Sequence, residues 1–189
     1  MEHKIMKIFI VRHGETDSNK AKKLMGKSVD EPLNPEGLKQ AYELVENIHE
    51  NDYDIIFTSP LKRAQQTAKI IADKIKVPII EKSEIVERDF GSMVGKSWDE
   101  MINEVKSENV NFKEKDFEQK YDYRPYGGEC VEDVKERVLK FIDELKTNYS
   151  DKKVLIVAHG GIMKLLHLLF LEKTMDKTPD NIAIHEFDI

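Results

Sequence analysis

Five consecutive residues, Val154-Leu155-Ile156-Val157-Ala158, carry no polar side chain. A strand with one wet face alternates polar and apolar residues, so this run has to be covered on both sides, as the inner strands of parallel sheets are. Parallel neighbours need crossover connections, and the rest of the chain supplies helical segments for them. Ile5–Val11 reads as a second buried strand, with Tyr53–Thr58, Val77–Ile80 and Ile182–Phe187 as further ones. Asn34 caps a helix with Pro35 in its first turn, and Leu38, Ala41, Tyr42, Val45 and Ile48 recur on one face. Ser59-Pro60 forms a second pair of cap and first helical residue, with Leu61, Ala64, Ala68, Ile71 and Ile75 facing inward. Trp98, Met101, Ile102 and Val105 mark a short helix, and Glu129–Thr147 a long one that buries Val131, Val134, Val138, Phe141, Ile142 and Leu145. Strands alternating with helices predict an α/β fold, a three-layer α/β/α sandwich with a central, mostly parallel sheet. At 189 residues, without internal repeat or linker composition, the expectation is a single domain over residues 1–189.

Composition narrows the function classes. A formal charge of -6 with no basic block argues against a nucleic-acid or membrane-surface binder, yet leaves room for a locally positive pocket. Cys130 is the single cysteine, which rules out an intrachain disulfide and a thiolate zinc cluster. Met1-Glu2-His3-Lys4 leads straight into the first strand without a signal-peptide pattern. The apolar run Ile162–Leu171 is too short to span a bilayer and is broken by Lys164 and His167. A cytoplasmic protein is expected.

Two of the strands end in histidine followed by glycine, Val11-Arg12-His13-Gly14 and Ala158-His159-Gly160-Gly161. Ligands of open α/β sheets bind at the carboxyl ends of the strands, so both histidines project toward one edge. Arg63 follows another strand and can reach the same edge. Guanidinium forks match phosphoryl oxygens bidentately, and glycines let backbone N–H groups approach them. A neutral imidazole is a competent nucleophile toward phosphorus, and a second, protonated one stabilises the charge that develops. The departing oxygen needs a proton, which a carboxylic acid of raised pKa can deliver.

Arg12-His13-Gly14-Glu15-Thr16 resembles the signature of the histidine phosphatase superfamily, in the branch that includes phosphoglycerate mutases. The resemblance runs in order over most of the chain. It takes in Asn19, Gly26, Asp30, Pro32-Leu33, Gly37 and Gln40-Ala41, then Thr58-Ser59-Pro60-Leu61 with Arg63-Ala64 and Thr67-Ala68. Glu87 with Gly91 and Gly95, Gly128-Glu129 with Arg137, and His159-Gly160-Gly161 complete it. The resemblance implies a phosphoglycerate mutase-like fold and no metal or organic cofactor. It implies His13 as the nucleophile that becomes phosphohistidine, with Arg12, Arg63 and His159 holding the phosphoryl oxygens beside Asn19 and the Gly160 N–H. Glu87 would protonate the leaving oxygen and then help water attack, while Glu15 and Thr16 would fix the loop. Lys23, where an arginine is common in the family, and Gly26 are candidate substrate-binding residues. Cys130 stands where many relatives have serine, at the start of the long helix.

The expected activity is a phosphatase acting on small-molecule phosphomonoesters. The alternatives are a 2,3-bisphosphoglycerate-dependent mutase and a non-catalytic binding protein on the same fold. Mutases of the family carry a longer segment before the Gly-Glu motif, with paired arginines that grip the substrate carboxylate. Here residues 98–127, the expected substrate-selecting insertion, hold a single arginine, Arg124. Retention of Arg12, His13, Arg63, Glu87 and His159 together argues against a non-catalytic role. Gly91-Ser92-Met93-Val94-Gly95-Lys96-Ser97 nearly spells a P-loop but is one residue short and follows no buried strand. A zinc hydrolase is disfavoured because the histidines lack ligand spacing.

Overall fold

The computed structural model describes residues 5–105 and 112–189. Strands β1 (Lys7–Arg12), β2 (Ile55–Thr58), β3 (Ile79–Glu81), β4 (Val154–Ala158) and β5 (Ile184–Asp188) form one sheet in the order β3-β2-β4-β1-β5. All neighbours are parallel except β5, which runs antiparallel to β1. The all-apolar β4 lies between β2 and β1 and is buried throughout. Its alternation shows why no polar residue is tolerated. Val154, Ile156 and Ala158 join one core, and Leu155 and Val157 join the core on the opposite face.

Helices cover both faces, so the three-layer expectation holds. α2 (Pro35–Val45) and α3 (Lys62–Ile75) contribute Val45, Ala64, Ala68 and Ile71 to the core of one face. α6 (Val131–Asn148) and α7 (Gly160–Leu171) contribute Val134, Val138, Phe141, Ile162 and Leu166 to the other. The short helices are α1 (Asp17–Lys20), α4 (Trp98–Val105) and α5 (Phe112–Phe117). Part of the expected substrate-selecting segment, residues 106–111, lies outside the described residues. No helix among the described residues is long and apolar enough to cross a membrane.

Two local expectations are corrected. Leu38 and Tyr42 were expected on the inner face of α2 but are 36% and 61% exposed. The helix instead buries Gly37, Ala41 and Val45, because Gly37 packs directly on the backbone of Glu15. Ala41, Val45 and Ile48 are buried as expected. Ser59 does not cap α3 either: the N-cap is Leu61, without a side-chain bond, and the N–H of Lys62 donates to Asp30 Oδ1 at 2.7 Å. The Ser59 hydroxyl is committed to His159 at 2.7 Å. The near-P-loop runs into α4 but follows no strand, since Gly91–Met93 is a single 3-10 turn.

Candidate active site

The sheet register builds the site. Arg12 pairs with Ala158 across β1 and β4, so His13 and His159 leave the sheet side by side, and the His13 N–H donates to the Ala158 carbonyl at 3.1 Å. Their rings stand 5.2 Å apart, edge to face. Both are buried, at 2% and 0% exposure. His13 Nδ1 is 2.7 Å from the Gly14 carbonyl oxygen. A carbonyl can only accept, so Nδ1 carries the proton and the Nε2 lone pair is left for chemistry. Burial, reinforced by His159, Arg12 and Arg63, pushes the His13 imidazole well below its ordinary pKa, so the ring is neutral.

Loops and helix starts hold the nucleophile loop in place. Gly14 N–H donates to Thr67 Oγ1 at 3.1 Å, Glu15 N–H to Gln40 Oε1 at 2.9 Å, and Asn34 Nδ2 to Glu15 Oε1 at 2.9 Å. Thr16 caps α1, which carries Asn19, and Asn181 Nδ2 donates to the His13 carbonyl at 2.8 Å. Arg63 is fully buried, and its Nη1 and Nη2 donate to the carbonyls of Val29 and Gly26 at 2.6 and 3.0 Å. Arg12 Nη1 donates to the Pro179 carbonyl at 2.6 Å. After these bonds, three buried polar atoms around His13 have no hydrogen-bond partner among the described residues: Arg12 Nε, Arg63 Nε and His159 Nδ1. Unpartnered buried guanidinium nitrogens are costly, and an anion is what relieves that cost.

Arg12, His13 and Arg63 open onto a pocket of about 380 Å³. Of the residues expected from sequence, Arg12, His13, Asn19, Lys23, Gly26, Arg63, Glu87 and Gly160 line it, as does Glu15. His159 does not line it; it packs behind His13 with its Nε2 bound to the Ser59 hydroxyl. Lys23 sits at the mouth in an ion pair with Glu100 at 2.5 Å. Cys130 is the buried N-cap of α6 and does not line the pocket; burial raises its thiol pKa, which disfavours a reactive thiolate. Among the described residues, no group of three or more His, Cys, Asp or Glu side chains could hold a metal ion.

Glu87 also lines the pocket, with Oε1 accepting from the Arg88 N–H at 2.9 Å and Oε2 from the Gly161 N–H at 3.0 Å. Its proton affinity departs from expectation. Burial alone would raise the carboxyl pKa, but Arg88, the two N–H bonds and Lys164 together hold it below its ordinary value. His159 likewise is not an imidazolium in the free protein, because burial, Arg63, Arg12 and Arg137 push its pKa well down. Sequence reasoning missed Arg88, Lys164, Asn181 and Thr178 as pocket residues, together with the aromatic wall of Phe90, Trp98 and Phe117. One signal was available. Lys164 is a lone charge inside an otherwise apolar helix, one turn after the glycine pair.

The family model described as the histidine phosphatase superfamily (branch 1) matches residues 8–188. An uncharacterized phosphatase PhoE of Bacillus subtilis (strain 168) is 37% identical over 160 residues, which cover 84% of this chain and 74% of that one. A metal-independent phosphoserine phosphatase of Arabidopsis thaliana is 30% identical over 171 residues, covering 89% and 70%. The solved structure described as mycobacterial hydrolase 1 superposes with a TM-score of 0.83 at 22% identity, covering 96% of this chain and 91% of that one, which shows the shared fold.

Proposed function

Because the chain belongs to the histidine phosphatase superfamily (branch 1), we propose that it hydrolyses small-molecule phosphomonoesters through a phosphohistidine formed on His13. The observation that carries this reading is a neutral, buried His13 with its Nδ1 proton committed to Gly14, beside unpartnered guanidinium donors of Arg12 and Arg63 and the unpartnered Nδ1 of His159 behind it. The phosphoryl group sits against the Arg12 and Arg63 donors, which neutralise its charge. His13 Nε2 attacks phosphorus in line with the leaving oxygen, and the P–O ester bond breaks as the P–N bond forms. A phosphate dianion also reverses the local electrostatics. Its negative charge favours the protonated forms of Glu87 and His159, offsetting the cations and the burial that hold their pKa values down in the free protein. The proton of Glu87 passes to the leaving oxygen. In the second half, water attacks the phosphohistidine, Glu87 takes its proton, and the P–N bond breaks to release phosphate and restore His13.

Hydrolysis is favoured over the mutase reading, although some relatives bear the name of 2,3-bisphosphoglycerate-dependent phosphoglycerate mutases. Arg124, the single arginine of residues 98–127, is exposed, pairs with Asp122 at 2.8 Å and does not line the pocket. The test is a panel of phosphomonoesters assayed for phosphate release with and without EDTA. Release unaffected by the chelator and lost in His13→Ala is the expected result. Activity that collapses in EDTA and returns with added zinc or magnesium would overturn the reading.

A further inference from the structure

Asp116 of α5 and Lys164 of α7 form an ion pair in which the side chains are 0% and 1% exposed. Arg88 Nη2 reaches the same carboxylate at 2.6 Å, and the Tyr123 hydroxyl donates to it at 3.3 Å. The Phe117 ring centroid lies 4.4 Å from Lys164 Nζ. Burying such charges carries a desolvation cost, and well-packed apolar side chains of similar volume are often no less stable. Stability therefore does not explain Lys164, but its place does. It follows Gly161 by three residues and Gly160 by four, so it shares their helix face, which meets Glu87 through the Gly161 N–H. Lys164 and Glu87 line the same pocket.

We propose that Lys164, clamped by Asp116, is a positioning residue whose charge keeps the Glu87 carboxylate ionised while water attacks the phosphoenzyme. The proposal rests on the acid–base role assigned to Glu87 above. Once Glu87 has given its proton to the leaving oxygen, it faces a phosphohistidine carrying negative charge. That field favours reprotonation from solvent, and a protonated Glu87 cannot serve as base. In the productive step the water oxygen bonds to phosphorus and the P–Nε2 electron pair returns to the imidazole. The water proton goes to Glu87, and inorganic phosphate departs. The charged groups around Glu87 are Arg88 beside it, Lys164 from α7, Arg12 from β1 and Arg63 from α3, with the Asp116 carboxylate of α5 behind Arg88 and Lys164 and the Tyr121 phenol as a further titratable neighbour. Arg12 and Arg63 are engaged by the phosphoryl group, whereas Arg88 and Lys164 share the single carboxylate of Asp116 and so keep a net positive charge beside Glu87. Since α5 belongs to the segment expected to select substrate, Asp116 links that segment to phosphoenzyme turnover.

The experiment preforms the phosphoenzyme by rapid mixing with p-nitrophenyl phosphate and follows its decay as a function of pH. In wild type, decay fails as pH falls through the titration of Glu87. In Lys164→Met and Lys164→Gln the midpoint should rise by about one pH unit, so that below it the phosphoenzyme decays about tenfold more slowly and accumulates. Lys164→Gln retains a hydrogen bond to Asp116 and covers the case in which the methionine variant fails to fold. Lys164→Arg should restore the wild-type midpoint. A merely structural lysine would change the rate without moving the midpoint. An unmoved midpoint in the neutral variants, with Glu87→Gln still slowing decay at every pH, overturns the role of Lys164 alone. Decay untouched in Glu87→Gln overturns the acid–base reading of Glu87 and the proposal with it.

Discussion

Gly161 lies in the first turn of α7, where its N–H donates to Glu87 at 3.0 Å. Its backbone is helical, so Gly161→Ala meets no conformational barrier and should gain up to about 1 kcal/mol of helix stability. The added methyl carbon, however, would overlap Glu87 Oε1 outright and stand 3.0 Å from Glu87 Cδ and 2.9 Å from Arg88 Nη1. Ordinary contacts of a carbon are about 3.5–4.0 Å, so the carboxyl group has to retreat by about 1 Å or more. A misplacement of about 1 Å can cost about 10²-fold in a positioned step, equivalent to about 2.7 kcal/mol. The loss should appear with alkyl phosphates, whose leaving oxygen depends on the Glu87 proton, and be much smaller for the phosphorylation step with p-nitrophenyl phosphate. The assay is single-turnover phosphorylation with both esters, alongside a thermal melt. Alkyl phosphate turnover at the wild-type rate would refute the placement of Glu87 as the acid. An equal loss with both esters would mean that the methyl group disturbs the phosphoryl cradle instead.

Arg63→Lys should lower kcat/KM by about 10²-fold or more, because one ammonium cannot donate to both the Val29 and Gly26 carbonyls and still offer a fork to phosphate; kinetics within threefold of wild type would contradict this. Folded His13 and His159 have depressed pKa values, so the unfolded chain binds more protons as pH falls below about 6.5. Stability should therefore be complete above that pH and decline below it, with the two rings together contributing up to about 2.7 kcal/mol per pH unit. Melts of wild type and His13→Gln from pH 7.5 to 5 check this, and the variant should show a shallower decline.

Much of the scaffold could be read from apolar periodicity. The unbroken run of β4 has to be central, and the inner face of α3 follows from Leu61, Ala64, Ala68, Ile71 and Ile75, all of them buried. The strand-end histidines could be read for the same reason, because a parallel sheet brings its carboxyl ends to one edge. For α2 periodicity placed Ala41, Val45 and Ile48 correctly but not the large apolar residues Leu38 and Tyr42, where Gly37 packs on the nucleophile loop instead. It also could not reveal the charges behind Glu87. Asp116 reads as one more acid in a charged stretch, and its burial is compensated by Arg88, by the Tyr123 hydroxyl and by Lys164, 48 residues away. The same distance hid the task of Ser59, which looks like a helix cap in sequence and supports His159, 100 residues on.

The central claim is the covalent step on His13. Wild-type protein mixed with a ³²P-labelled phosphomonoester and quenched in mid-turnover should carry label that is stable in base and lost in acid, the behaviour of a phosphoramidate. The label should map to the peptide containing His13 and be missing from His13→Ala. Label that survives acid, maps elsewhere or persists in His13→Ala while phosphate is still released would contradict the account.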